Sequence, residues 1–319
     1  MKSDVPLFAH VGIPTFLRTP LCTDLDELDA TVAVLGVPTD EGSPYLPGSR
    51  FGPRLLREHS LRLDGGGKGY YDPRLERTFL ENELREGRIV DVGDAPILPT
   101  NVVDTFAGVT AMVRNILQRG AMPAALGGDH AISWPVVAAF EEHEPIHVIQ
   151  FDAHLDYMPV AHGLELTNGN AFRHIANSAH VTSLTQVGIN GIRNPRAWLE
   201  DSIADGNRVI LMDEFREGAL LEHLEGLPAG ARCYVSIDVD VLDMSLIPGC
   251  ASGEPGGMVY AELRDALGAV AERLRVVGFD FVEVNPLLDV GTGATSYLGA
   301  LTVVEFLGRI CASQGAPRR

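Results

Sequence analysis

Residues 147–156 read His-Val-Ile-Gln-Phe-Asp-Ala-His-Leu-Asp, an apolar run that passes directly into alternating acidic and histidine residues. The same change occurs twice more. The run at 124–126 precedes Gly-Gly-Asp-His at 127–130, and the run at 233–235 precedes Ser-Ile-Asp-Val-Asp at 236–240. Short, continuously apolar runs of this kind are typical of strands that helices cover on both faces.

Alternation between such runs and helical periodicity continues along the chain. It predicts an α/β fold with one parallel sheet of about eight strands. The predicted strands are 31–37, 88–92, 122–126, 147–151, 184–187, 208–211, 233–237 and 276–282. Helical periodicity is clearest at 102–118, 133–141, 260–275 and 300–311. The glycines of the loop 40–53 are too irregularly spaced to predict a nucleotide site.

Composition limits the function classes. With 45% hydrophobic and 21% charged residues over 319 positions, the chain can build a large core. Its net charge of −18 disfavours nucleic acid and anionic membranes, and it either mildly favours cationic ligands or simply keeps the protein soluble. Its start, Met1-Lys2-Ser3-Asp4, is a poor secretory signal, no apolar run reaches the length of a membrane span, and the four cysteines are scattered. We therefore expect a cytoplasmic protein with reduced cysteines and no membrane or nucleic-acid partner.

Six residues at the ends of three predicted strands have side chains that commonly bind metal ions. In open parallel sheets ligands collect outside the carboxyl ends of strands, so these residues can converge on one crevice. If the chain stays extended there, alternate residues project to the same side, towards two neighbouring ions. Carboxylates and imidazoles without a thiolate suit Mn²⁺, Ni²⁺, Fe²⁺ or Zn²⁺. Two ions about 3.5–4 Å apart can share a hydroxide nucleophile. The six residues are His130, Asp152, His154, Asp156, Asp238 and Asp240.

A structural alternative exists for each motif taken alone. An Asp-x-Asp at the end of a strand more often caps a helix or forms a turn. A lone histidine such as His130 can be a hydrogen-bonded core residue. Six such residues at three strand ends favour the metal interpretation, because unpaired acids are rarely buried.

These stretches resemble motifs of the ureohydrolase (arginase/agmatinase) family, in family order, and are closer to its agmatinase-type members. The resemblance implies a three-layer α/β/α sandwich around a mainly parallel eight-stranded sheet, in one domain over residues 1–319. Residues 1–30 would form an extension at subunit contacts of a trimer or hexamer. The matching stretches are 127–130, 151–156 and 236–243, supported by Pro-Gly-Ser-Arg-Phe-Gly-Pro at 47–53 and Glu-Val-Asn-Pro at 283–286.

The resemblance also implies roles for individual residues. One divalent ion would take His130, Asp152, Asp156 and Asp238, and the other would take Asp152, His154, Asp238 and Asp240. Glu283 matches the glutamate that holds the substrate guanidinium, since a carboxylate can accept two parallel N–H bonds from that planar cation. Asp156 would transfer a proton while a hydroxide attacks the guanidinium carbon, giving a urea-type product and an amine.

Two departures from the family motifs lie beside this site. Asn168 stands where many members have a proton-shuttling histidine, and asparagine cannot titrate. This position can simply shape the pocket while water supplies the proton, or His162 or His174 can substitute for the missing imidazole. The segment Pro-Gly-Cys-Ala-Ser-Gly at 248–253 replaces the usual Gly-Thr-Gly-Thr-Pro pattern. Both changes suggest a substituted guanidine or a biguanide such as metformin, for which similar family members prefer nickel.

The loop after the second motif has no arginine or lysine to bind a substrate carboxylate. We expect Tyr157, Met158, His162 and Glu165 to face the distal part of the substrate, with His162 and Asn168 as contacts. Two other functions stay open. The chain can be a catalytically silent subunit that supports an active paralogue, as Asn168 suggests, or a hydrolase of formimino groups that releases formamide.

Overall fold

The structure is a computed structural model that describes residues 8–314. Eight parallel strands form its main sheet, in the order β4-β1-β5-β10-β9-β6-β7-β8. Each predicted strand is present, with ends that differ by a few residues, so the predicted parallel sheet is confirmed. The strands are β1 (Val32–Val37), β4 (Ile89–Asp94), β5 (Met122–Gly127), β6 (Ile146–Phe151), β7 (Val181–Ile189), β8 (Arg208–Leu211), β9 (Arg232–Asp238) and β10 (Arg275–Val282), while β2 (Tyr70–Asp72) and β3 (Arg77–Phe79) form a separate antiparallel hairpin.

Helices cover both faces of the sheet, because the strands are apolar on both sides. Alternate residues of one strand enter different cores: Val34 belongs to the core under α1, α9 and α10, and Leu35 to the core under α3, α4 and α5. The sandwich therefore has the predicted three layers. The helices are α1 (Gly52–Ser60), α2 (Glu81–Arg85), α3 (Val102–Gln118), α4 (Ser133–Ala138), α5 (Ala171–Ala176), α6 (Arg196–Ala204), α7 (Met212–Arg216), α8 (Ala219–Gly226), α9 (Tyr260–Arg273) and α10 (Ala294–Gln314).

The segment before β1 packs against its own chain. Phe16 and Leu17 are buried, the Phe16 N–H donates to Asp91 Oδ2 at 2.8 Å, and the Leu17 N–H donates to Ser60 Oγ at 2.8 Å. These contacts close the core beside α1 and β4. The predicted role of residues 1–30 at subunit contacts stays a prediction, and residues 1–7 lie outside the described part of the chain.

The order of the strands decides where polar residues meet. β5, β10, β9 and β6 are neighbours, and all four point in the same direction. Their carboxyl ends therefore form one continuous edge, and the residues that follow each strand face the same crevice. Across residues 8–314, no helix is both long and apolar enough to cross a membrane.

Candidate metal centre

The six residues with metal-binding side chains lie together at this edge of the sheet. His130 follows β5, Asp152, His154 and Asp156 follow β6, and Asp238 and Asp240 are at and just after the end of β9. The side chains of all six are at most 15% exposed. The convergence that the sequence predicted is present.

Each of the two imidazoles, His130 and His154, contacts its own set of carboxylates, and Asp152 belongs to both sets. His130 Nδ1 lies 3.0 Å from Asp152 Oδ2, 3.0 Å from Asp156 Oδ2 and 3.2 Å from Asp238 Oδ2. His154 Nδ1 lies 3.0 Å from Asp240 Oδ2 and 3.5 Å from Asp152 Oδ1. Asp152 therefore contacts both imidazoles, one with each oxygen.

The local backbone differs from the extended chain that we expected. Asp152 Oδ1 accepts the His154 N–H at 2.6 Å, and Asp238 Oδ1 accepts the Asp240 N–H at 2.8 Å, which caps the 3₁₀ turn Val239–Val241. The expectation was wrong because each first aspartate also caps the turn that follows it. The capping alternative and the cluster are thus both present. Asp156 has a positive φ of 45°, a strained conformation that such sites often contain.

A second layer of polar residues orients His130. Its Nε2 lies 2.8 Å from Ser236 Oγ, which donates to Asp280 Oδ1 at 2.6 Å. Tyr234 donates from its hydroxyl to Asp280 Oδ2 at 2.6 Å. This buried chain of hydrogen bonds holds Nδ1 towards the carboxylates, as outer-shell partners of metal-binding histidines do.

The buried carboxylates of the cluster raise the pKa values of neighbouring groups, so positive charge is favoured there. Burial lowers the pKa of the His154 imidazole, but the charges and hydrogen bonds of Asp240 and Asp152 outweigh it and raise that pKa to about 12. Burial raises the pKa of Asp156 to about 6, with the charge of Asp152 adding to the effect. Burial and the charges of Asp240 and Asp152 also raise the pKa of Asp238. So many carboxylates in one buried place repel one another, and nearby positive charge stabilises their ionised forms.

The donor set fits divalent metal ions. His130 Nδ1 is fully buried, yet it makes no hydrogen bond of acceptable geometry within the described chain. Such an atom, aimed at three carboxylates, is oriented as a ligand. Compact groups of donor atoms support this reading: His130 with Asp152 and Asp238, and Asp152 with His154 and Asp240. Two divalent ions would neutralise charge that the imidazoles offset only in part.

Glu283 completes the edge from a fourth strand. It follows β10 with a positive φ of 64° and is 6% exposed. Its Oε1 accepts the His130 N–H at 2.9 Å and Asn168 Nδ2 at 3.2 Å, while no described residue donates to Oε2. Burial raises its pKa to about 7. The free oxygen is available to a ligand in the crevice.

Two glycines let the backbone close around this edge. A Cβ on Gly128 would lie 1.8 Å from the Thr39 carbonyl oxygen, and one on Gly42 would lie 2.9 Å from Asp129 Oδ2. The Gly42 carbonyl also accepts the Asn168 N–H. The glycine-rich loop 40–53 therefore supports the position of Asn168, a role that its irregular spacing did not predict.

Several predicted substrate-facing residues lie elsewhere. Tyr157 was placed wrongly: it is fully buried, its hydroxyl donates to Asp205, and Arg173 lies over its ring. His174 stacks on Trp134 and contacts the Glu165 carbonyl, so it is no substitute for the missing imidazole. His162 has an exposed side chain in the turn between Ala161 and Leu164, and no described contact joins it to the cluster.

Three residues of the cluster's rim were not predicted. Ser252 Oγ donates to Asp240 Oδ2 at 2.7 Å, Glu254 Oε1 lies 3.6 Å from His154 Nε2, and Cys250 lies near Asp238 and Asp240. Their segment, 248–253 and the following glutamate, differed from the family motif. That departure was the available signal, but the sequence did not show which side chains turn inwards.

Comparisons with known proteins agree with this site. The arginase family model matches residues 30–308. The guanidinopropionase of Pseudomonas aeruginosa is 34% identical over 314 residues, covering 96% of this chain and 93% of the relative. The agmatinase of Bacillus anthracis is 33% identical over 264 residues, covering 82% of this chain and 86% of the relative. The solved structure of proclavaminate amidino hydrolase from Streptomyces clavuligerus superposes with a TM-score of 0.81 at 30% identity, covering 96% of this chain and 99% of that one.

The resemblance read from the motifs is thereby confirmed. A family match over most of the chain and full-length relatives above 30% identity leave no large segment unexplained. The chain belongs to the arginase family, as an agmatinase-like ureohydrolase that acts on C–N bonds of linear amidines.

Proposed function

We propose that this protein hydrolyses a guanidino compound to urea, or a urea analogue, and an amine by means of two divalent metal ions. The observation that carries the proposal is the position of Glu283. Its carboxylate accepts the His130 N–H at 2.9 Å, and the His130 imidazole contacts the proposed metal ligand Asp152, so a guanidinium bound to Glu283 would lie next to the metal ligands. The second oxygen of this carboxylate can accept a charge-assisted hydrogen bond from the planar cation.

Six residues hold the two ions in this proposal. The first ion takes His130, Asp152, Asp156 and Asp238, and the second takes Asp152, His154, Asp238 and Asp240. The contacts of Asp152 with both imidazoles support its place in both ligand sets. The bound ions supply a water nucleophile that is deprotonated at neutral pH. Mn²⁺ and Ni²⁺ both suit this set of oxygen and nitrogen donors.

The chain's own residues orient the substrate and move protons. Glu283 is held by the His130 N–H and by Asn168, so its carboxylate has one orientation in which to bind the guanidinium. Asp156 contributes one oxygen near His130, where a carboxylate beside the nucleophile can accept a proton and pass it on. Asn168 cannot donate a titrating proton, so water protonates the leaving amine.

We further propose a substituted guanidine or a biguanide such as metformin as the substrate. Relatives are named for several guanidino compounds, so similarity alone does not select one. Two arginines nearby are engaged by other groups: Arg193 pairs with Glu254, and Arg173 donates to the Tyr157 carbonyl and to Asp201. Neither is free to bind a substrate carboxylate. Neutral Asn168 accommodates a second amidine unit without the charge of an imidazole.

The expected assembly of the protein follows from the same family resemblance. We propose one domain that assembles as a trimer or hexamer in the cytoplasm, with a paralogous subunit as a further partner. The net charge of −18 favours the binding of a cationic guanidino ligand over that of an anionic one.

A metal analysis joined to a product assay tests the proposal. The protein is loaded with Mn²⁺ or Ni²⁺ and given agmatine, guanidinobutyrate, guanidine and biguanides. Two ions per chain with release of urea or a urea analogue support it, and fewer than two ions per chain contradict the two-metal site. Formamide from a formimino substrate, with no urea, would identify a formimino-group hydrolase. Two bound ions with no product from any substrate would identify a silent partner subunit.

A further inference from the structure

Cys250 adds a thiol to a centre that the sequence predicted to lack one. Its Sγ and one carboxylate oxygen each from Asp238 and Asp240 all lie within 4.8 Å of one another. Asp238 and Asp240 are proposed ligands of the second ion. The thiol is therefore close enough to the two carboxylates for all three to bind the same ion.

The loop that carries Cys250 is fixed in place. The Gly249 N–H donates to Thr295 Oγ1 at 2.7 Å, and the Gly249 carbonyl accepts the Asn285 N–H at 2.7 Å. The Cys250 N–H donates to the Ile247 carbonyl at 3.1 Å. These bonds tie Gly249 to helix α10 and to the segment after β10, and they tie Cys250 to its own turn, so the position of the thiol does not depend on its own hydrogen bonds.

The thiol has only weak partners in the protein. Its Sγ lies 3.6 Å from Ser252 Oγ and 3.5 Å from the Ser252 nitrogen, and Ser252 Oγ itself donates to Asp240 Oδ2. A separate observation indicates that a cation belongs here: the fully buried His130 Nδ1 has no hydrogen-bond partner in the described chain and lies 3.2 Å from Asp238 Oδ2. The thiol and this imidazole thus face the same carboxylate.

We propose that Cys250 is a thiolate ligand of the ion held by Asp238 and Asp240 when that ion is thiophilic, such as Co²⁺, Ni²⁺ or Zn²⁺. The metal–sulfur bond forms as the S–H proton leaves to solvent, with no change in oxidation state. Sulfur is a softer donor than carboxylate, so this residue shifts the preference of the centre away from Mn²⁺. The inference rests on the proposed function, because it requires that ions occupy the centre.

Cobalt spectroscopy of the full-length protein tests the assignment. Bound Co²⁺ gives d–d bands in the visible range with any of these ligands, whereas a thiolate ligand adds a charge-transfer band in the near ultraviolet. We expect both in the natural protein. Cys250→Ser and Cys250→Thr should keep the visible bands and lose the near-ultraviolet band. Cys22→Ser, which changes a partly exposed thiol far from this loop, should keep both.

Metal affinity gives a second readout that does not depend on turnover. Cys250→Thr should weaken Zn²⁺ binding by about tenfold or more while changing Mn²⁺ binding by less than about twofold, because a charged bond is lost only for the thiophilic ion. Visible bands without the near-ultraviolet band in the natural protein, or equal losses for both ions, would overturn the proposal for Cys250 alone. No cobalt bound at all would overturn the metal centre and the proposed function with it.

Discussion

Among single residues, Glu283 separates substrate binding from metal binding, since it contacts the His130 backbone and Asn168 but is not a proposed ligand. Glu283→Gln removes the negative charge that binds the guanidinium and replaces one acceptor by a donor. Hydrogen bonds to charged groups contribute about 1.5–3 kcal/mol each, so kcat/KM should fall by about 10²-fold. Steady-state kinetics measures this loss. Metal analysis should still find two ions per chain, and loss of the ions would contradict the assigned role.

The hydrogen bond from Asn168 contributes to the charge state of Glu283. Burial raises the pKa of Glu283 to about 7, and the hydrogen bond from Asn168 lowers it. The ionised carboxylate binds the guanidinium, so activity is lost as the pH falls through this pKa. Asn168→Ala removes the donor and should move the acidic limb of the kcat/KM profile to higher pH. An unchanged limb would show that another group controls it. His162→Ala, at an exposed turn, is the matched control and should leave the limb in place.

The residues that the sequence could identify were those whose type is rare in a buried position. Histidine and aspartate at strand ends were informative because an unpaired buried acid is costly. Cys250, Ser252 and Glu254 were missed, since each reaches the cluster from a loop whose path depends on long-range contacts. Tyr157 was wrongly expected to face the substrate. Its position after the motif does not reveal the direction of its side chain, because the segment is not extended, and the side chain is in fact buried.

At the scale of elements, β9 and β10 position His130 through their register. Ser236 pairs with Asp280 across these strands, and the two side chains meet beside the imidazole. Asp280→Asn should weaken metal binding by about 10- to 100-fold, because it removes the negative charge and one of the two oxygens that accept from Ser236 and Tyr234, and His130 is then held less firmly. Titration calorimetry with Mn²⁺ measures the change. Tyr234→Phe removes only the outermost hydrogen bond and should have a smaller effect, and equal effects would argue against a relay through Ser236.

The elements that could be predicted from the sequence were those with a strong hydrophobic pattern. All eight strands of the sheet could be predicted because each contains buried apolar residues, from the fully buried β1 to the central pair Val209 and Ile210 of β8. The hairpin of β2 and β3 was missed because its strands are three residues long and mostly polar. Helix α10 begins at Ala294 rather than 300, since its first turn, with Thr295 and Ser296 buried, carries no apolar periodicity.

At the scale of the whole molecule, the six proposed ligands lie at or just after the ends of three central strands, β5, β6 and β9, so occupancy should affect global stability. At an ion concentration of about 1,000 times Kd, binding to the folded state alone stabilises it by about 4 kcal/mol. With an unfolding entropy of about 2.1 cal/mol/K per residue, removal of the ions should lower the Tm by about 6 °C. Differential scanning calorimetry before and after chelation measures this shift, and an unchanged Tm would argue that the ions do not bind the folded chain at this site.

The difference in Tm between the metal-loaded and the metal-free protein should depend on pH, and the pKa shifts determine the sign of that dependence. Without ions, the folded-state pKa values of Asp156 and Glu283 are raised to about 6 and about 7, and that of His154 to about 12. Between about pH 5 and about pH 8 the folded chain therefore binds more protons than the unfolded chain, and the stability of the metal-free protein falls as the pH rises. Metal binding releases those protons, so ion affinity rises over the same range. The Tm difference between the loaded and metal-free protein should consequently be larger at about pH 8 than at about pH 5.5, and calorimetry at the two values measures it. Asp152→Asn, which removes the carboxylate shared by both imidazoles, should abolish the difference at either pH. A difference that shrinks with rising pH would contradict a centre in which cations replace the protons of these buried groups.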